Sequence, residues 1–309
     1  MKYSLTIALI GILLLCAGVA QAGPYAAGDA TGAGAKDAGI HYTDSRFVGW
    51  VTGVVDYSPA PGVAATWTNP ANVLGPVTGA NTRIVSLGDL NLAQLAAWRA
   101  DPVNNPGPGT ITVTFDVPIA NVPGAGPDFA VFENGMGSGN NVNAELAYVE
   151  VSTNGIDFAR FSSVYLNYPN ADLSTRTDGS IDLNGTGTKT GTGFLTQDVT
   201  NIYNLAGKHA NGWGTPFDLD DLLGHELVLA GVVDLNNIRY VRLVDIPGDG
   251  SFTDSLGNPI FDAWVTTGSG GFDFAGIGVI HQQIPEPATL TLLAASAIGL
   301  IFRKKRHTT

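Results

Sequence analysis

Between residues 40 and 281 apolar side chains come in short runs, separated by Gly, Pro, Asn and Asp. The clearest run is 110–116, where Ile111, Val113 and Phe115 alternate with polar residues and share one face of a strand. Similar runs predict strands at 47–57, 128–133, 147–152, 158–164, 227–233, 240–244 and 272–280. Asn154-Gly155 predicts a hairpin-type turn, because both residues tolerate positive φ. Two short helices interrupt the pattern. Residues 90–100 place Leu92, Leu95 and Ala96 on one face, and Asp101-Pro102 ends the helix. Thr215-Pro216-Phe217-Asp218 predicts the start of a second, which Gly224 stops. Residues 184–193 have no apolar side chain to bury and read as a loop. No repeat or linker breaks residues 40–281, so this span reads as one all-β domain.

The two ends have a different pattern. Residues 1–22 read as a secretory signal peptide for signal peptidase, with Lys2, an apolar core from Leu5 to Val19, and Ala20-Gln21-Ala22 before Gly23. The single cysteine, Cys16, lies inside it; a lipoprotein reading would make it the lipidated residue, although Leu15 stands where a small residue is wanted. Cleavage at Ala22 leaves a chain with no disulfide and no thiol chemistry. Residues 23–39 are Gly/Ala-rich and predict a flexible segment.

At the other end Ile284-Pro285-Glu286-Pro287 precedes an apolar run of 15 residues, 288–302, and then Arg303-Lys304-Lys305-Arg306. As a helix the run would reach roughly 22 Å, a short transmembrane span against about 30 Å of hydrocarbon. The basic cluster behind it favours the cytoplasmic side. Pro285 and Pro287 hold the preceding chain extended, which suits a protease. This tail, residues 282–309, resembles the PEP-CTERM sorting signal of Gram-negative bacteria. The resemblance implies an exosortase-type membrane protease as partner, transient anchoring, and a final place at the cell surface or outside the cell. The alternative is a plain, uncleaved anchor.

Composition narrows the function. Residues 23–283 keep 10 basic and 26 acidic residues, a net charge near −16. That balance argues against nucleic acid and against anionic lipid, and is compatible with calcium or a neutral polysaccharide.

Several phrases in the body also carry a resemblance: VLGPVTG (73–79), IVSLGD (84–89), ITVTFDVPI (111–119), GPDFAVFEN (126–134), AYVEVSTNGIDF (147–158), GTPFDL (214–219), YVRLVDI (240–246) and GGFDFAGIGV (270–279). In this order they resemble a bacterial cell-surface β-sandwich family, and the phrases at 147–158 and 270–279 also resemble discoidin-like and carbohydrate-binding jelly rolls. The resemblance implies a single jelly-roll β-sandwich at the cell surface without settling an activity. The insertion at 90–108 departs from the family pattern.

Candidate chemistry sits at strand ends. Asp128, Glu133, Asn134, Glu145, Asp245, Asp249, Asp254, Asp262 and Asp273 supply hard oxygens of the kind calcium takes, six to eight at a time. Glu133, Asp245 and Asp273 are the expected metal ligands; the competing reading is that these acids cap turns. The EF-hand spacing is absent. No nucleophile elbow, zinc helix or phosphate loop is present, and His225-Glu226 lacks a second histidine. Glu133 and Glu145 could form a glycosidase pair, which needs two carboxylates about 5 to 10 Å apart. Trp213 and Trp264 lie in loop-like phrases and are the expected sugar-stacking residues, with packing as the alternative; Trp50 belongs to a strand. The sequence therefore predicts a surface-sorted, non-enzymatic jelly roll that binds extracellular polysaccharide, with calcium as a cofactor. A polysaccharide hydrolase and a structural coat protein are the alternatives.

Overall fold

The computed structural model describes residues 23–29, 36–167, 197–265 and 268–283. The signal peptide, the sorting motif Pro285-Glu286-Pro287, the apolar run 288–302 and the predicted loop 184–193 lie outside the described residues. Among the described residues no helix is long and apolar enough to cross a membrane.

Two antiparallel sheets face one another across a shared core. One runs Ile40–His41, Trp213–Phe217, Phe129–Glu133, Asp273–Val279, Gly49–Trp50, with Val85–Ser86 also paired to Asp273–Val279. The other runs Ala159–Arg160, Ala147–Ser152, Ile238–Asp245, Thr110–Ile119, Gly53–Ser58. Period-2 patterning decides which side chains meet. Val241 lies between Val151 and Val113, and Leu243 between Val149 and Ile111. All six are fully buried, together with Phe129, Val131, Phe274 and Ile277 from the facing sheet. The strands at 147–152 and 240–244 thus form where the sequence predicts them, the latter extended to Ile238–Asp245.

A second core lies under the loops at one side. Leu146, Tyr148, Tyr165, Ile202, Phe261 and Trp264 pack there. The Tyr165 hydroxyl donates to the Phe261 carbonyl at 2.8 Å, so its polar end is satisfied inside an apolar cluster.

Several elements differ from expectation. Residues 213–217 form a strand, because Thr215 to Phe217 pair with Val131 to Phe129; the helical turn starts later, at Leu219, capped by Asp218. Residues 227–233 do not form a strand: Glu226–Leu229 is a single helical turn capped by His225, and Leu229 is exposed. The 47–57 run splits into Gly49–Trp50 and Gly53–Ser58, which belong to different sheets. The helix Leu92–Ala100 is present, with a capping box between Asn91 and Gln94, yet it buries only Leu95. Leu92 and Ala96 face solvent, since the helix touches the body along a narrow stripe. At Asn154-Gly155 only Gly155 has positive φ, and the Asn154 side chain closes the turn by accepting the Ile156 and Asp157 N–H groups.

The flexible reading of 23–39 is corrected for its described part. Ala26 and Ala27 are buried, the Ala26 N–H donates to Asp37, and Tyr25 stacks on Tyr203 at 5.1 Å. Asp37 in turn pairs with Lys208, which is fully buried. Small residues let this segment lie flat against the body, so a Gly/Ala composition here serves close packing.

Candidate functional site

Both sheets end on acids at the same edge of the sandwich. Glu133 closes the Phe129–Glu133 strand, and Asp273 opens its neighbour, where Phe274 is the register partner of Glu133. Asp245 closes Ile238–Asp245 opposite Ala147, which brings Glu145 and Leu146 alongside. Asp262 follows Pro259–Phe261 and accepts the Leu146 N–H at 2.8 Å. Asp89 follows Val85–Ser86, and the neighbouring Gly88 touches Gly271, beside Asp245.

These six carboxylates are 1–8% exposed, far below what isolated acids tolerate. Among the described residues, Glu133, Glu145, Asp245, Asp262 and Asp273 form no ion pair. Three oxygens have no hydrogen-bond partner at all: Glu133 Oε2, Asp245 Oδ2 and Asp273 Oδ1. The neighbouring amide oxygen Asn143 Oδ1 is also unpartnered. Burial is the main cause that raises all five acids. For Glu133 the Asp273 charge adds to it. For Glu145 the charges of Asp273, Glu133, Asp89 and Asp262 add. For Asp245 and Asp262 the largest addition is Asp89. Asp273 is pushed up to about 7, held back by hydrogen bonds from Ser269, Ser86 and Asn134. Among the described residues no three His, Cys, Asp or Glu side chains already meet in metal-binding geometry. The cluster is spread across several loops.

The structure places Glu133, Asp245 and Asp273 at one edge of the sandwich, and Asp89, Glu145 and Asp262 at that same edge. The other acids are used elsewhere. Asp128 accepts from Leu219 N–H at 2.8 Å and contacts the His281 ring at 2.7 Å. Asp254 accepts the N–H groups of Leu256, Asn258 and Tyr165. Asp249 pairs with Arg99 at the surface.

Next to this cluster a cleft of about 250 Å³ opens on the outer side of the first sheet. His41, Tyr42, Arg83, Asn81, Asn134 and Asn211 line it, and Glu133 lies at its wall. The Tyr42 and His41 rings sit 4.5 Å apart. Arg83 donates through Nε and Nη2 to the carbonyls of Asn72 and Leu74, which fixes its guanidinium and leaves further donors. Asn134 Nδ2 donates to Asn81 O at 3.0 Å and to Asp273 Oδ2 at 3.3 Å. One side chain therefore joins the cleft wall to the acidic cluster.

The two expected sugar-stacking tryptophans do not form a platform. Trp264 is buried in the second core, with its indole N–H given to Leu90 O at 2.9 Å, so its ring offers no face to a ligand. Trp213 lies on a strand and meets His41 edge-on at 5.0 Å, one ring behind the cleft. Tyr42 and Asp89 were not expected at the site. Asp89 had a readable signal, since it ends an apolar run just as Glu133 and Asp245 do.

The body is thus an all-β sandwich with a buried acidic cluster at one edge and a small polar cleft beside it. The chain also carries a PEP-CTERM protein-sorting motif, matched over residues 283–306. That motif marks an exported protein, held transiently at the membrane through its C-terminal region, processed by an exosortase-type protease and delivered to the cell surface. None of the curated proteins matches the chain.

Proposed function

We propose that this protein is a non-enzymatic component of the cell envelope or extracellular polysaccharide matrix, with jelly-roll wiring, that binds carbohydrate in the His41–Tyr42 cleft. The observation that carries this reading is the lining of the cleft. Sugars need an aromatic face for their C–H groups and fixed donors and acceptors for their hydroxyls. Tyr42 supplies the ring; Asn81, Asn134, Asn211 and Arg83 supply the polar groups. The volume suits a single sugar ring, being below the about 300 Å³ at which drug-sized sites begin.

The hydrolase reading rests on Glu133 and Glu145. Retaining and inverting chemistry both need two carboxylates that flank the bound sugar. Of these two only Glu133 lines the cleft, which favours the binding reading.

Co-sedimentation of the purified full chain with the host's matrix polysaccharide tests the proposal. Ala80 lines the cleft and is exposed, so Ala80→Trp plugs it without disturbing the core. The variant is expected to lose about tenfold or more in affinity, roughly 1.4 kcal/mol, with an unchanged Tm. Binding unaffected by the plug removes the cleft from the proposal. No binding by the wild-type chain leaves the coat-protein reading. New reducing ends that Glu133→Gln abolishes, in a folded protein, establish the hydrolase instead.

A further inference from the structure

We infer that Asp89, Glu133, Glu145, Asp245, Asp262 and Asp273 form a divalent-cation site, of the hard, oxygen-ligated class that calcium fits best, and that the ion organises the neighbouring cleft. The site goes beyond the cleft reading and does not depend on what the cleft binds.

The orphaned oxygens carry the inference. Glu133 Oε2, Asp245 Oδ2 and Asp273 Oδ1 are each on a side chain at least nine-tenths buried, and each lacks a partner. Buried carboxylate oxygens are otherwise almost always satisfied. Two agents could neutralise the cluster. A proton neutralises one carboxylate and bridges at most one pair of oxygens, so six buried acids would need several. A cation satisfies the lone pairs of several carboxylates at once and removes their mutual repulsion.

Ligand type selects the metal. Every candidate donor is oxygen, including the unpartnered amide of Asn143, and neither Cys nor His belongs to the group. That excludes the sites soft or borderline metals prefer. Calcium accepts six to eight oxygens at irregular angles, whereas magnesium demands octahedral geometry and keeps waters that a buried cluster has little room for. Backbone carbonyls also come close: a Cβ on Gly271, at φ +68°, would lie 2.7 Å from Asp245 Oδ1 and 2.9 Å from Gly88 O. Only glycine allows that approach.

The ligands come from four separated stretches, around residues 89, 133–145, 245–262 and 273. No three of them converge before an ion binds. An ion would therefore draw the loops together. Asp273 holds Asn134, and Glu133 lies at the cleft wall, so the same movement sets the cleft.

Calorimetry and thermal unfolding of the full chain, stripped with EDTA and titrated with calcium chloride, test this. Saturable binding is expected, with Tm raised by about 5 °C or more at a hundredfold excess over Kd. In Asp245→Asn/Asp273→Asn the calcium response should disappear, while Tm in EDTA should rise because two repelling charges are gone. Failure of wild-type calcium to bind or to raise Tm overturns the inference. So does a calcium response that survives the double substitution. Neither readout uses polysaccharide, so loss of the cleft proposal leaves this one standing; Ala80→Trp should keep the full calcium response.

Discussion

At the scale of single residues, burial decides what each ionisable group does. Lys208 is fully buried, paired with Asp37 and donating to Ile202 O at 2.7 Å; removing either partner would strand the other charge inside. His209 is beside it, with ring nitrogens 3.2 Å from Gly28 O and 3.0 Å from Asp37 O. Burial first, then the Lys208 charge, pushes its pKa down to about 3. The unfolded ring titrates near 6.5. As pH falls below that value the unfolded chain takes up the proton before the folded one. Stability present above pH 6.5 is therefore lost as pH drops towards 3. Between pH 7.5 and 5.0 wild type should lose about 2 kcal/mol more than His209→Gln, read by urea unfolding. Equal losses in the two proteins would show that His209 is not held neutral.

At the scale of elements, strands written as clean apolar alternation were legible, whereas Trp213–Phe217, although paired on both sides, was not. The Ile238–Asp245 strand is central, and its apolar positions face apolar residues from both neighbours. Leu243→Ala should cost about 2–5 kcal/mol. Leu92→Ala, on the exposed face of the Leu92–Ala100 helix, should change stability by no more than about 0.5 kcal/mol. Chemical denaturation of both variants checks the contrast, and a large loss at Leu92 would contradict the observed packing. The 213–218 segment was misread because Thr, Pro and Asp are good helix-start residues in isolation. Pairing with Phe129–Glu133 overrides that local preference. Likewise the 227–233 run looks strand-like by composition, yet finds no sheet edge to join.

At the scale of the whole molecule, the body and the tail have separate tasks. The sorting motif at 283–306 controls delivery, and the sandwich carries whatever is delivered. Replacing Pro285 and Glu286 by Ala should leave the chain uncleaved and in the membrane fraction, whereas the unmodified chain yields a shortened product. Fractionation followed by mass measurement reads this directly; identical products from both would separate the motif from processing. The excess of acid over base acquires a structural meaning too. A solvated acidic surface explains much of it, but the cluster at the sandwich edge is not solvated.

The sequence by itself determined the β character, the central strands and the sorting tail. Each is written in local periodicity or in a linear motif that needs no folded context. It also pointed to Glu133, Asp245 and Asp273, because acids that bound apolar runs stand out. The tertiary structure decided the rest. Pairings between strands far apart in the chain brought Asp89, Glu145 and Asp262 to the same edge. The same long-range packing buried Trp264, set Trp213 behind His41, and turned Tyr42 into the ring that faces the cleft. Which side chains meet, and which lose their water, depends on contacts between distant segments, and no local pattern encodes them.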